Sequence, residues 1–124
     1  MKQRFLACTF LLAGWFLLAG CEPDDIHVNI DETLIPGLWR AQDNMQEYWR
    51  FDAAHTGETW DESDDVHEGE GTNFNWSAVG DQLRIDLYGM MGQHAYYDYT
   101  VVRQTRDTLV WKDLFGNQRT FVKR

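Results

Sequence analysis

From Gly37 onward the chain alternates apolar and polar residues in short runs, broken by turn residues about every 8–12 positions. Period two is the signature of a strand with one buried face. Leu38-Trp39-Arg40 opens the series. A second strand near Met45 to Ala53 sets Trp49 and Phe51 on one face against Tyr48, Arg50 and Asp52 on the other. His55-Thr56-Gly57 reads as a hairpin turn into Glu58-Thr59-Trp60-Asp61. Phe74 and Trp76 alternate with Asn73 and Asn75, and Gly80-Asp81 turns into Gln82 to Tyr88, where Leu83, Ile85 and Leu87 share a face. His94 to Gln104 reads as a long strand with Tyr97, Tyr99 and Val101 on one side. Arg106-Asp107 leads into Leu109-Val110-Trp111, and Gly116-Asn117 into a last strand, Gln118 to Lys123.

No segment after Pro36 keeps a helical period for long. Eight short strands with tight connections favour an antiparallel meander, and closing it removes both exposed edges. The expected fold is all-β, a small eight-stranded antiparallel up-and-down barrel. Such a barrel is just wide enough for packed side chains or for one small ligand. At 124 residues a single domain is the expectation.

Residues 1–20 differ in character. Lys2 and Arg4 precede a nearly unbroken apolar run, Phe5 to Ala19. The run is short for a spanning helix, which needs about 20 residues, and has the layout of a secretory signal. Leu18-Ala19-Gly20-Cys21 resembles the lipobox of bacterial lipoproteins. The resemblance implies loss of residues 1–20, diacylglycerol on the Cys21 sulfur, and an acyl chain such as palmitate on the new amino group. More than one chain makes membrane attachment stable. Glu22 after the cysteine resembles an outer-membrane sorting signal, so the expected location is the cell envelope, outer membrane over inner, with the membrane face open. Residues 21–36 then form the lipidated N-terminus and tether, with one short helical turn near Asp31 to Pro36, and residues 37–124 the barrel. Cys8 leaves with the signal and Cys21 is modified, so no thiol remains for catalysis or a disulfide.

Charge excludes one class of partner. The chain carries 20 acidic and 11 basic residues, and the basic stripe that nucleic acid requires is missing. After residue 20 the balance is 20 acids to 9 bases, a net charge of −11. Residues 22–70 hold 15 of the acids with only Arg40 and Arg50, whereas residues 103–124 are net +4. Such asymmetry orients partners.

The order of motifs resembles the lipocalin-like domains of bacterial lipoproteins, within the wider calycin group. The residues that carry it are Gly37-Leu38-Trp39, then Tyr48 and Phe51 followed by a turn and Gly57. Phe74 and Trp76 with Gly80-Asp81, Leu83 and Ile85 match the middle hairpin; Tyr99 and Val101 with Asp107-Thr108-Leu109 and Trp111-Lys112-Asp113 match the late one. The resemblance implies that Trp39 closes one barrel end beneath an arginine of the final strand, Arg119 first and Arg124 second, through cation–π stacking. The sequence of 124 residues is shorter than a typical lipocalin, and neither the C-terminal helix nor the disulfide of that group is expected here.

The residues expected to face a ligand are Trp49, Phe51, Trp60, Phe74, Trp76, Leu83, Ile85, Tyr97, Tyr99 and Trp111. They make either an aromatic pocket or a barrel filled by its own rings, because each large ring buries about 150–250 Å². Asp61, Asp64, Asp65, Glu68 and Glu70 form an acidic rim, expected as a solvated, mobile loop. Asp61, Ser63 and Asp65 alternate as in a calcium loop, but Val66 stands where the sharp turn needs glycine and no acid follows at the required distance. No metal and no cofactor is expected. No phosphate-binding, dinucleotide or nucleophile-elbow motif is present, so an enzyme is not expected. Two roles remain. One is a lipid-anchored envelope protein that holds a small hydrophobic or aromatic ligand. The other is a scaffold whose acidic rim meets a basic partner, such as an envelope complex or a cationic hydrolase.

Overall fold

The computed structural model describes residues 28–89 and 91–124; residues 1–20, expected to be a signal, and Cys21, the expected lipidation site, lie outside these. Eight strands follow one another: β1 Gly37–Ala41, β2 Glu47–Phe51, β3 Thr56–Asp61, β4 Thr72–Val79, β5 Gln82–Tyr88, β6 His94–Gln104, β7 Thr108–Lys112 and β8 Gln118–Lys123. Each pairs antiparallel with the next, and β1 pairs with β8 through Trp39–Lys123 and Ala41–Phe121. The expected eight-stranded up-and-down barrel is the fold observed.

Alternation decides what fills it. Trp39, Trp49, Phe51, Phe74, Trp76, Leu83, Ile85, Val101, Leu109, Trp111 and Phe121 are buried as one cluster. Trp49 is its hub: its ring centroid lies 5.5 Å from Phe74, 5.5 Å from Trp111 and 6.2 Å from both Phe51 and Phe121. Two of these contacts, to Trp111 and Phe121, are edge-to-face, a geometry that ring quadrupoles favour. Of the two readings of the interior, the filled barrel is the one the rings adopt around Trp49. Gly57 makes this packing feasible, since a Cβ there would stand 2.4 Å from the Phe74 ring and 2.3 Å from the Arg50 carbonyl.

The two barrel ends differ. One is sealed by residues 28–36, which were expected to belong to the tether. Ile35 is fully buried, and Val28 and Ile30 pack against the core. The expected helical turn is present as a single 3-10 turn, Glu32–Leu34, with Asp31 accepting from the Thr33 amide. Gln104 clips the segment down, accepting from the Asp31 N–H and donating to the Asp31 carbonyl. A bulge between Val101 and Arg103 sets the register in which Gln104 pairs with Leu109, on the inner face. The segment therefore acts as a lid of the domain, because its apolar residues at 28, 30 and 35 have a core to meet.

Trp39 lies buried at this end, and the cation over its ring is neither Arg119 nor Arg124. The Lys123 ammonium stands 4.9 Å from the Trp39 ring centre and donates to the Leu34 carbonyl. The Trp39 indole N–H donates to the Ile35 carbonyl at 2.8 Å. Register is the reason: Trp39 pairs with Lys123. Arg119, four positions back, lies roughly 13 Å along the strand, at the other end.

Candidate functional site

The open end is framed by the connections 42–46, 62–71, 89–93 and 113–117. Its geometry begins with a difference in strand length. β6 has 11 residues and β7 has 5. Their ladder starts at Thr100–Lys112, so residues 94–99 of β6 project past the end of β7. Opposite this overhang sits the 113–117 turn. Asp113 shapes it by accepting from the amides of Phe115 (2.8 Å) and Asn117 (2.9 Å). The turn throws Leu114 and Phe115 outward, 83% and 88% exposed.

Between overhang and turn lies a cleft of about 330 Å³, lined by Tyr96, Tyr97, Asp98, Tyr99, Trp111, Asp113, Leu114, Phe115, Asn117 and Arg119. Its wall is a ladder of nearly parallel rings. Tyr97 stacks on Tyr99 at 6.3 Å and 13°, and Tyr99 on Trp111 at 4.5 Å and 20°. Trp111 meets Phe121 at 4.3 Å. The ladder thus starts in solvent at Tyr97 and ends in the core. The volume is at the lower limit for a small-molecule pocket, about 300 Å³.

Arg119 closes the floor. Its guanidinium donates to Glu47 at 2.8 and 3.0 Å and to Asp43 at 2.8 and 3.1 Å. It also lies over the Phe121 ring, 5.1 Å from its centre. The hydrogen bonds that Arg119 donates to Glu47 and Asp43 outweigh burial and push the Arg119 pKa further above its already high value. In return, the Arg119 hydrogen bond holds the Asp43 carboxyl below the usual carboxylate range. Glu47 also accepts the Trp49 indole N–H at 2.8 Å, which ties the ion network to the hub of the core. Burial works against the Asp113 charge, but the donors of Asn117 and Phe115 keep its pKa low. Burial first, and the neighbouring Tyr97 next, push the Tyr99 hydroxyl up.

Three of the residues expected to face a ligand line this cleft: Tyr97, Tyr99 and Trp111. Trp49, Phe51, Phe74, Trp76, Leu83 and Ile85 are instead buried against one another. Trp60 is on the other side of the wall. It pairs with Tyr48, and the strand partners Trp49–Thr59 and Phe51–Gly57 carry the inward face, so Trp60 points outward. It is buried there under Tyr48, stacked at 5.6 Å, and beside Gly71 of the acidic connection. Its indole N–H has no hydrogen-bond partner among the described residues.

That connection, expected as a mobile acidic loop, is tied down by a residue the sequence reading passed over. Glu58 is buried, 4% exposed, and accepts from the amides of Gly69 and Gly71 and from Arg50. Arg50 also reaches Glu68 at 2.9 Å and Asp52 at 3.2 Å. Glu70 accepts from the His67 amide, and Asp61 caps the turn Glu62–Asp64 through the Ser63 amide. The Ser63 donors hold the Asp61 carboxyl below its ordinary range. Asp64 and Asp65 stay exposed, Asp65 in a left-handed conformation at φ 59°. Glu58 carries a signal in hindsight: a glutamate opposite Arg50 in a hairpin, with two glycines following at positions 69 and 71.

The family model for a lipocalin-like domain matches residues 27–111. The chain belongs to the lipocalin-like domain family. The matched span starts at the lid segment and runs through Trp111, so it takes in most of the barrel of this lipocalin-like protein. The 113–117 turn and β8, which supply Asp113, Phe115 and Arg119 to the cleft, follow the matched span. No curated protein and no solved structure gives a significant match. A lipocalin-like barrel is a binding fold, which suggests ligand binding in general terms; the ligand has to be argued from the site.

Proposed function

We propose that this lipocalin-like protein is a lipid-anchored binding protein of the cell envelope, without catalytic activity, that takes a small hydrophobic or flat aromatic molecule at its open mouth. One observation carries the reading: a ring ladder, Tyr97–Tyr99–Trp111, that is open to solvent at one end of an otherwise filled barrel. The floor below it is polar and fixed by Arg119, which suits a ligand with an apolar body and a few oriented contacts. Anchoring rests on the Leu18-Ala19-Gly20-Cys21 sequence, with lipid on Cys21 and the outer membrane as the favoured site.

Native mass spectrometry on the acylated chain extracted from membranes, beside the same sample denatured, tests this. The expected result is an acyl mass on Cys21 that survives denaturation and a stoichiometric second mass that does not. An unliganded chain that also fails to take up envelope lipids or small aromatics would remove the binding reading.

A second reading, a basic partner at the acidic rim, is favoured by the way Glu58 pins the 62–71 connection and so presents Asp64, Asp65 and Glu68 from a fixed base. Partner affinity that stays flat from low to high salt would exclude it, since exposed charge pairs are screened.

A further inference from the structure

We infer that the mouth selects planar organic cations, such as N-alkylated heteroaromatic rings, over neutral and anionic molecules of the same shape. The inference rests on the binding reading above and names the ligand class for that site. The first ground is geometric. Tyr97 is half exposed and lies 13° from parallel with Tyr99, so a flat ring placed against it extends a ladder already formed. Phe115 stands exposed across the cleft.

The second ground is charge. Arg119 is held by two carboxylates, Asp43 and Glu47, and this group has one excess negative charge. Asp98 is matched by Arg84 in a two-bonded pair. Asp113 accepts from amide donors, which carry no charge, and adds a second excess negative charge. Lys112, beside it in sequence, is exposed, and the alternation along β7 turns it to the face opposite Trp111. Every cation lining the cleft is therefore already matched. An arriving anion would have to compete with Asp43 and Glu47 for Arg119, whereas an arriving cation completes the balance. Tyrosine faces add to this preference through their negative quadrupole.

The test is fluorescence anisotropy of three tricyclic probes with the full-length chain in zwitterionic lipid nanodiscs, read against empty nanodiscs. The probes are 10-methylacridinium, 9-anthracenemethanol and 9-anthracenecarboxylate. The inference expects methylacridinium to bind at least tenfold tighter than the carboxylate, with the ratio shrinking in high salt. Asp113→Asn, whose remaining carbonyl oxygen can still accept from the turn amides, should lower cation affinity several-fold and leave the neutral probe unchanged. Phe115→Ala, at an exposed position, should weaken all three alike. Equal binding of the three probes, or tighter binding of the carboxylate, overturns the inference and leaves the binding reading standing. Binding of none overturns both.

Discussion

The two ends of this barrel are built from the same residue types and do opposite things. At the sealed end Trp39 is covered by Lys123, its indole N–H is taken by the Ile35 carbonyl, and Ile35 itself is fully buried. At the open end Tyr97 has solvent on one side, Phe115 is 88% exposed, and the ions form a network across the floor. The sealed end converts apolar area into stability. The open end leaves rings uncovered, which a soluble surface does at a cost unless something else covers them. The lesson is that a barrel filled by its own aromatic residues leaves its accessible rings at the mouth and not in the interior.

Substitutions should separate the ends by size of effect. Trp39→Ala should cost about 3–5 kcal/mol of unfolding free energy, because it opens a cavity at a site that cannot collapse. Urea unfolding measures this, and a loss below about 1 kcal/mol would show the lid to be dispensable. Glu58→Ala should come next, at about 2–3 kcal/mol, since it strands two amides and leaves Arg50 with one buried partner fewer. Hydrogen exchange should then rise in residues 62–71 and not at the sealed end. Phe115→Ala should stay within about 0.5 kcal/mol of the parent, as exposed positions usually do. A large loss there would mean that the mouth is part of the core.

The ion network gives the smallest and most specific effect. Asp43 has its pKa lowered by Arg119. Its contribution to stability is therefore present above the unfolded value, 3.8, and is lost as pH falls through the lower folded value. Arg119→Met should return the Asp43 titration toward 3.8, read by carboxyl carbon NMR shifts, while Asp113 keeps its low value through its amide donors. An unchanged Asp43 titration would show that the pair seen here does not persist in solution.

The strands and their closure were legible because period two survives in nearly every run from Leu38 to Phe121. What the sequence hid was register. Trp60 was expected inside and lies outside, because the turn between β2 and β3 sets Tyr48 against Trp60, and a shift of one residue exchanges the two faces. The same reason gave Trp39 a lysine where an arginine was expected. The lid was misassigned because Val28, Ile30 and Ile35 are too few and too spaced to show a period, yet they suffice once a barrel end is there to receive them. The mouth depends on contacts that no spacing reveals. Asp43 and Arg119 stand 76 positions apart, and the overhang of β6 exists only because β7 is short. Tyr97, Tyr99 and Trp111 were legible as rings on one face, but not as the ones left open.

The central claim is that ligand is held at the mouth and not within the barrel. The most direct test is to titrate the 15N-labelled chain with 10-methylacridinium and follow the indole and amide N–H resonances. The account predicts shifts at Trp111, at Tyr97 and Tyr99, and along residues 113–117, with the indoles of Trp39 and Trp76 unmoved. Shifts centred on Trp39, Trp76, Leu83 and Ile85, with the 113–117 turn silent, would contradict it and place the ligand in the interior.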